Sequence, residues 1–142
     1  MTNFRTLLAS TILVAAASVS AQAEENRLLT VTVPFAFTVA NTNLPAGTYT
    51  LYSQSPQNLV RLQSADFRKS AYFHVVRVTG GEISNNPKLV FRRIGGQAFL
   101  AQVWEGKSGL HRDPATGSLA RELAKAGNRG EETMVAEGSG SR

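Results

Sequence analysis

The chain has 142 residues, carries a formal net charge of +5 and contains no cysteine. Its length predicts a single domain with a core of its own, and the missing cysteine excludes disulfides and a lipid-anchoring cysteine. Packing and sheet hydrogen bonds must therefore stabilise the fold. The positive excess lies mainly between Arg61 and Arg93. A field of that sign attracts anions and favours solubility, but by itself it defines no binding site.

The first 23 residues have the three-part layout of a secretory signal peptide. Residues 1–6 carry Arg5, residues 7–19 are mostly apolar, and Ala21 and Ala23 are the small residues that a signal peptidase recognises. The apolar run is shorter than the roughly 20 residues that a membrane-spanning helix needs. We therefore expect cleavage after Ala23, a periplasmic or extracellular protein, and no transmembrane segment after cleavage.

Six segments after the signal peptide are predicted to be strands. The first is the clearest, because apolar residues alternate with polar or small ones along it. Pro34 inside it marks an edge or a bulge, since proline cannot donate to a ladder. Gly95 and Gly96 are typical of a tight hairpin turn, which needs positive φ. The pattern predicts a mainly β fold, a six-stranded antiparallel barrel or sandwich. The predicted strands are residues 28–40, 48–54, 59–64, 70–79, 88–94 and 97–104.

The C-terminal part has a different character. Residues 106–117 are predicted to be a loop. Ser118 has the chemistry of an N-cap for a short helix over residues 119–126, and Gly127 stands where a glycine ends a helix. The remainder is rich in Gly, Glu and Ser, with little apolar surface to bury. The predicted organisation is a signal peptide over residues 1–23, a β-rich domain over 24–126 with a short C-terminal helix, and a disordered tail over 127–142.

Two sets of side chains are candidates for ligand contacts. Aromatic residues can line the mouth of a small barrel that holds one small ligand, although strand aromatics also form filled cores. Cations can face anions, although they also blunt exposed sheet edges. An exported protein meets little nucleic acid, so no nucleic-acid partner is expected. The aromatic candidates are Trp104, Tyr72, Tyr49, Tyr52 and Phe99, and the anion-facing candidates are Arg61, Arg77, Arg92 and Arg93.

The sequence contains no complete catalytic or metal-binding motif. His74 and His111 lack paired-histidine spacing, so no metal and no cofactor are expected. No G-x-S-x-G elbow is present. Glycoside hydrolysis needs two facing carboxylates, and the sequence alone cannot place any two of the candidates together. These carboxylates are Asp66, Glu82, Glu105, Asp113 and Glu122.

Four segments of the chain resemble one group of proteins. They are VTVPFAFTV (31–39), LPAGTYTL (44–51), KLVFRRIGGQAFLAQVW (88–104) and SLARELAKAG (118–127). In these segments the chain is similar to a family of small exported β-rich proteins from acidobacterial genomes. Ala98 departs from the family pattern, which often has an aromatic residue there. The resemblance implies export and a β-rich fold, and it supplies no activity, cofactor or catalytic residue.

These observations predict an exported, non-enzymatic β-domain with a structural or binding role in the bacterial cell envelope. Its partner would be an envelope component or a small ligand. One alternative is a small-molecule or glycan binder that uses the barrel mouth around Trp104 and Tyr72. Another is a carboxylate-dependent hydrolase that uses Asp66, Glu82 or Glu105. The sequence leaves the ligand and the oligomeric state open.

We expect the exported protein to begin at Glu24, because Ala21 and Ala23 place the cleavage site directly before it. N-terminal sequencing of protein collected outside the cytoplasm checks this expectation. Exported protein that retains Met1 would contradict the signal-peptide assignment.

Overall fold

The computed structural model describes residues 25–54, 57–80, 85–106, 110–127 and 132–140, which contain ten strands and one short helix. The predicted mainly β fold with a short helix is confirmed. The predicted signal peptide lies outside the described residues. No helix in the described part is long and apolar enough to cross a membrane. The elements are β1 (Glu25–Val33), β2 (Phe37–Val39), β3 (Thr42–Leu44), β4 (Gly47–Gln54), β5 (Leu59–Ser64), β6 (Ser70–Thr79), β7 (Lys88–Ile94), β8 (Gln97–Trp104), β9 (Leu110–Pro114), α1 (Ser118–Lys125) and β10 (Glu132–Gly140).

Eight of the strands close into one antiparallel barrel, in the order β1-β4-β5-β6-β9-β8-β7-β10 and back to β1. β2 and β3 form an additional hairpin, and β2 pairs in parallel with β8 through Thr38 and Phe99. The prediction of six strands is therefore wrong in number, and of the two predicted architectures the structure has the barrel. Closure removes most of the free edges that an open sheet would expose.

The strands with clear alternation have the predicted bounds. β5, β6, β7 and β8 begin and end at the predicted residues, and β4 begins one residue earlier, at Gly47. Gly95 and Gly96 form the β7–β8 turn with φ values of 57° and 78°, as a primed two-residue turn requires. Local sequence information is therefore sufficient for this part of the barrel.

The first predicted strand, residues 28–40, is divided in two. β1 ends at Val33, directly before Pro34, and the chain resumes as β2 at Phe37. Pro34 lacks the N–H that the next ladder position would have to donate. The strand therefore ends at the proline instead of continuing through it.

The predicted disordered tail is wrong for residues 132–140, which form β10. This strand lies between β7 and β1, with Glu132 opposite Arg93 and Gly140 opposite Leu29. Its backbone hydrogen bonds come from two neighbouring strands, so it needs little β-propensity of its own. The predicted loop over residues 106–117 contains β9 for the same reason, because β9 pairs with both β6 and β8.

Side chains fill the barrel interior at the end where β1 finishes, which we call the capped end. Phe35 and Phe37 fold over this end and contact the buried rings of Phe91 and Tyr49. The ring centroids are 5.0 Å apart for Phe35–Phe91, 5.2 Å for Phe37–Phe91 and 5.3 Å for Phe37–Tyr49. An eight-stranded barrel is just wide enough for side chains to fill. These edge-to-face contacts therefore close the capped end.

The opposite end of the barrel contains a buried ion pair. Arg112 on β9 is 4 % exposed and is the cross-strand partner of the core residue Val103, so its side chain is directed inward. Its Nε donates to Oε1 of Glu105, while Nη1 is buried without a hydrogen-bond partner in the described part of the chain. A buried guanidinium is strongly destabilising without its carboxylate. Glu105 therefore stabilises this end of the barrel by pairing with Arg112.

The short helix α1 packs beside β7. Ser118 is not its cap, contrary to the prediction, because the helix begins directly after Gly117 and the Leu119 amide donates to Oδ1 of Asn41 at 3.3 Å. Gly127 follows the helix with a φ of 86°, the left-handed conformation expected of a terminating glycine. A helix of two turns is not stable alone, so the bond from Asn41 helps to hold it on the barrel wall.

Gly138 and Gly140 provide a matched test of barrel closure. A Cβ at Gly138 would lie 2.6 Å from the backbone oxygen of Thr30 on β1, whereas a Cβ at Gly140 would meet its nearest atom, on Pro87, at 3.5 Å. We expect Gly138→Ala to lower the free energy of unfolding by about 1–3 kcal/mol, the usual cost of overpacking, and Gly140→Ala to change it little. Urea denaturation followed by circular dichroism measures both. Equal stability of the two variants would contradict the β1–β10 register.

Candidate functional site

A cleft of about 380 Å³ lies on the outer wall of the barrel, over β8. One edge of β8 pairs with β7, and two strands share the other: β2 pairs at Phe99, and β9 pairs at Val103 and Trp104. On this second edge, residues 100–102 have no strand partner within the described chain. The same three residues line the cleft. The cleft therefore results from the way in which two strands divide one edge.

The cleft walls come from the segments that follow β2 and β9. Ala40 and Asn41 of the β2–β3 turn have left-handed φ values of 44° and 67°. Residues 115–117 and Ala120 of α1 complete the lining. The side-chain oxygen of Asn41 accepts the hydrogen bond that caps α1, and a Cβ at Gly117 would clash with that oxygen. The turn and the helix therefore hold each other in position.

The cleft lining combines apolar and polar residues, and residues of opposite charge line its two ends. Phe99, on the floor, is 8 % exposed. Its cross-strand partner Arg92 lines one end, is exposed, and has no ion-pair partner among the residues described. Asp113 lines the other end, one residue beyond the Val103–Arg112 pair that joins β8 to β9. Arg92 and Asp113 lie on the strands on either side of β8 and are offset along it, so their backbone positions are roughly 13 Å apart.

The carboxylate of Asp113 has unused hydrogen-bonding capacity. Its Oδ1 is buried and accepts no hydrogen bond from the described residues. Nε2 of His111 lies 3.3 Å from Oδ1 of Asp113, without hydrogen-bonding geometry. The same nitrogen lies 3.4 Å from Nε2 of Gln102. An unpaired buried acceptor is unfavourable, and the side chain of Asp113 as a whole is 43 % exposed at the edge of the cleft.

Trp104 lies next to the Asp113 end of the cleft and contacts His111 and Gln102 there. Its ring stacks on His111 with the centroids 4.4 Å apart, and its Nε1 donates to Oε1 of Gln102 at 3.1 Å. Lys88 Nζ lies 5.3 Å from the centroid of the Trp104 ring, within cation–π range. Trp104 therefore positions Gln102 and His111 and does not itself line the cleft.

The three predicted tyrosines lie away from the cleft. Tyr49 is a core residue, 1 % exposed, and its hydroxyl donates to the Pro45 oxygen. Burial, and secondarily the charge of Asp66, raises the pKa of Tyr49. Tyr52 and Tyr72 lie on the outer wall, on β4 and β6. The five predicted aromatic residues therefore do not form a common barrel mouth, because alternation along the strands sends them to opposite faces.

Arg61, predicted to face an external anion, is already paired. Its Nε and Nη2 donate to the two carboxylate oxygens of Glu25, each at 2.7 Å, and its guanidinium lies 4.5 Å from the centroid of the Tyr52 ring. The hydrogen bond from Arg61, followed by one from Gln54, lowers the pKa of Glu25. The bond to Glu25 raises the pKa of Arg61. This bidentate pair makes Arg61 a structural part of the wall.

The other predicted arginines lie on different parts of the barrel. Arg77 on β6 is exposed opposite Arg112, and Arg93 on β7 donates to the sulfur of Met134 at 3.3 Å. Arg92 and Arg93 are neighbours on one strand, so their side chains leave opposite faces of the sheet. Of the four predicted arginines, only Arg92 lines the cleft.

Of the three carboxylates in the hydrolase alternative, the two that the structure describes lie at opposite ends of the barrel. Asp66 follows β5 at the capped end, where its carboxylate accepts hydrogen bonds within the β5–β6 turn. Glu105 follows β8 at the opposite end and is paired with Arg112. Glu82 lies outside the described residues. Where the structure describes the chain, no group of three or more His, Cys, Asp and Glu residues is arranged to hold a metal ion.

Sequence reasoning missed Asn41 and Gln102 as cleft residues and treated Asp113 only as a candidate for catalysis. Each has an ordinary local explanation, Asn41 and Asp113 as turn residues and Gln102 as a polar position in a strand. Only the register of β8 with β9 and the contact of the β2–β3 turn with α1 bring them together. No local signal in the sequence identifies this combination.

No family model, curated protein or solved structure matches this chain. The resemblance to exported acidobacterial proteins therefore stays a prediction. The chemistry of the cleft has to follow from the residues of this chain alone.

We expect the Glu25–Arg61 pair to stabilise the fold only while the carboxylate is ionised. The folded-state pKa of Glu25 lies below its ordinary value, so the contribution is complete above that value and is lost as the pH falls through the lowered pKa. Glu25→Gln should lower the free energy of unfolding by about 0.2–1 kcal/mol near neutral pH and by less near about pH 3.

Urea denaturation at the two pH values measures this difference. Glu122→Gln, a change at an exposed carboxylate of α1, is the matched control. A cost of Glu25→Gln that is the same at both pH values would contradict the role given to the ion pair.

Proposed function

We propose that this protein is a non-catalytic binding module that holds a small amphipathic anion in the cleft over β8. The observation that carries the proposal is the exposed Arg92, without an ion-pair partner in the described chain, at one end of an apolar floor that includes Phe99. Small-molecule sites are mostly apolar, with a few polar groups that orient the ligand. The volume of about 380 Å³ lies within the range of such sites.

The cleft selects its ligand by three features. The floor around Phe99 needs an apolar body to cover it. The guanidinium of Arg92 needs a carboxylate, sulfonate or phosphate, which it can bind through two hydrogen bonds. Asp113 needs an N–H or O–H donor at the opposite end of the ligand from the anionic group. A hydroxylated or amino-substituted organic acid meets all three requirements.

The separation of the charged groups favours binding over catalysis. Arg92 and Asp113 lie on strands on either side of β8 with their backbone positions roughly 13 Å apart, whereas a nucleophile and its base must be within hydrogen-bond reach. The signal-peptide pattern of residues 1–23 supports action in the periplasm or outside the cell. The domain would there hold a soluble acid or an acidic component of the envelope.

Titration with anilinonaphthalene sulfonate, an aromatic anion whose fluorescence increases in apolar sites, tests the proposal. We expect Arg92→Gln to weaken binding at least tenfold, because a charge-assisted hydrogen bond contributes about 1.5–3 kcal/mol. Ala101→Leu fills the cleft without changing its charge and should also weaken binding. Arg93→Gln removes the same charge from the next residue and should bind the probe as the wild type does.

Near-ultraviolet circular dichroism of each variant confirms that it is folded, since the probe also binds partly unfolded chains. Equal affinities of Arg92→Gln and Arg93→Gln would contradict the assignment. Competition adds a test of the other end of the cleft: hydroxyphenylpropionate should displace the probe more effectively than phenylpropionate. That advantage of the hydroxyl group should disappear in Asp113→Asn.

A further inference from the structure

The β5–β6 turn, residues 65–69, is held in one conformation by its own polar network, and we call it the tip. Oδ1 of Asp66 accepts from Oγ of Ser64 at 2.6 Å and from the Arg68 amide at 3.0 Å. The Phe67 amide donates to the Ser64 carbonyl oxygen at 3.0 Å, and the Lys69 amide donates to Oγ of Ser64 at 2.9 Å. The conformation of the tip is therefore established before it meets any partner.

Phe67 is exposed to solvent at the tip, and its backbone has a left-handed conformation that is unfavourable for a bulky residue. Its side chain is 79 % exposed, and its φ is 60°. Two other turns place Asn41 and Asn58 at left-handed φ, and asparagine tolerates that region. Stability of the turn therefore does not explain the phenylalanine, so a contact outside the domain is the better explanation.

Small apolar residues surround the tip at the capped end. The Ala65 amide donates to the Thr48 oxygen at 2.9 Å, which places the tip beside the β3–β4 turn. Pro45 and Ala46 of that turn are exposed. The link from β1 to β2 crosses the same end and exposes Pro34. Phe67 therefore projects from an end of the barrel that also exposes Pro34, Pro45 and Ala46, together with polar residues such as Gln97.

Two cations follow the aromatic ring directly. Arg68 and Lys69 are both exposed, whereas the carboxylate of Asp66 is hydrogen-bonded within the turn. A ring with cations next to it suits the interface of an anionic bilayer, where the ring enters the headgroup and acyl boundary and the cations meet phosphates.

We propose that the tip docks the barrel on an anionic lipid surface, with Phe67 inserted between headgroups and Arg68 and Lys69 on the lipid phosphates. The charge of Arg68 and Lys69 is complementary to that surface. A preformed tip loses little conformational entropy when it docks. The proposal rests on observations separate from those of the cleft, since the tip joins β5 to β6 and the cleft lies over β8.

Sedimentation of the full chain with vesicles tests the proposal, using phosphatidylcholine alone and phosphatidylcholine mixed with phosphatidylglycerol. We expect the wild type to pellet with the mixed vesicles. Phe67→Asn should reduce partitioning about tenfold, because part of a phenylalanine side chain no longer leaves water, while the fold stays at least as stable. Changing both Arg68 and Lys69 to Gln should reduce it about thirtyfold on the mixed vesicles. Val76→Ser, which alters an apolar side chain 65 % exposed on the β6 wall, is the control and should change nothing.

Residues 7–19 are mostly apolar and can also bind lipid. A second measurement therefore monitors the tip alone. In Phe67→Trp, the tryptophan emission should shift to shorter wavelength on the mixed vesicles and be quenched by brominated lipid. Val76→Trp should show neither effect, and the buried Trp104 gives the same background in both.

Three outcomes would overturn the proposal. One is a tryptophan at position 67 that stays in water while the protein pellets, and another is unchanged partitioning of Phe67→Asn. The third is a wild-type protein that binds neither vesicle type but forms a dimer, with the dimer lost in Phe67→Asn. That result would show that the ring contacts a second copy of this chain. None of them bears on the cleft, because the probe titration uses no lipid.

Discussion

The pairing of one strand edge decides both the closure of the barrel and the place of the cleft. β8 uses one edge for β7 along its length and divides the other between β2 and β9. β9 has only five residues and ends at Pro114, which offers no N–H to continue a ladder. The β7–β8 pair has a register irregularity between Val90 and Phe91. Such an irregularity bends a strand, and this one lies where β8 changes its second partner from β2 to β9. Two residue pairs between β8 and β9 close the barrel. The unpaired part of the β8 edge beside them forms the cleft.

Strands that are stabilised by their own sequence pattern were predicted accurately, whereas a strand that depends on its neighbours was not. β4 to β8 alternate in hydrophobicity and are separated by turn residues, so their local sequence defines them. β10 is different, because most of its residues are polar or small and its ladder bonds come from β7 and β1. Gly138 illustrates the point: the same residue suggests disorder in the sequence and is required in the barrel, where the Thr30 oxygen lies too close for a side chain. Composition alone cannot separate the two situations.

The candidate site was less accessible to prediction than the fold. Glu25 and Arg61 are 36 positions apart and come from strands on either side of β4, so no local pattern indicates that Arg61 is already paired. Arg92 and Arg93 are adjacent and chemically identical, and only the orientation of β7 in the barrel tells which of them faces the cleft. Alternation predicts that Tyr49 and Tyr52 face opposite ways, but which face becomes the interior depends on the closure of the sheet. Site residues therefore follow from register, which the sequence does not reveal.

The two proposed surfaces are placed so that each can affect the other. Arg92 lies two residues before the end of β7 at the capped end, so it is about 7 Å from that end along the strand. The Debye length at physiological salt is about 8 Å. An anionic membrane against the capped end would therefore still act on the Arg92 end of the cleft, with its potential reduced by roughly half. It would compete electrostatically with an anionic ligand for the same guanidinium. The two proposals together imply that such a ligand binds more weakly to the docked protein than to the free one, and by linkage that the ligand weakens docking by the same factor.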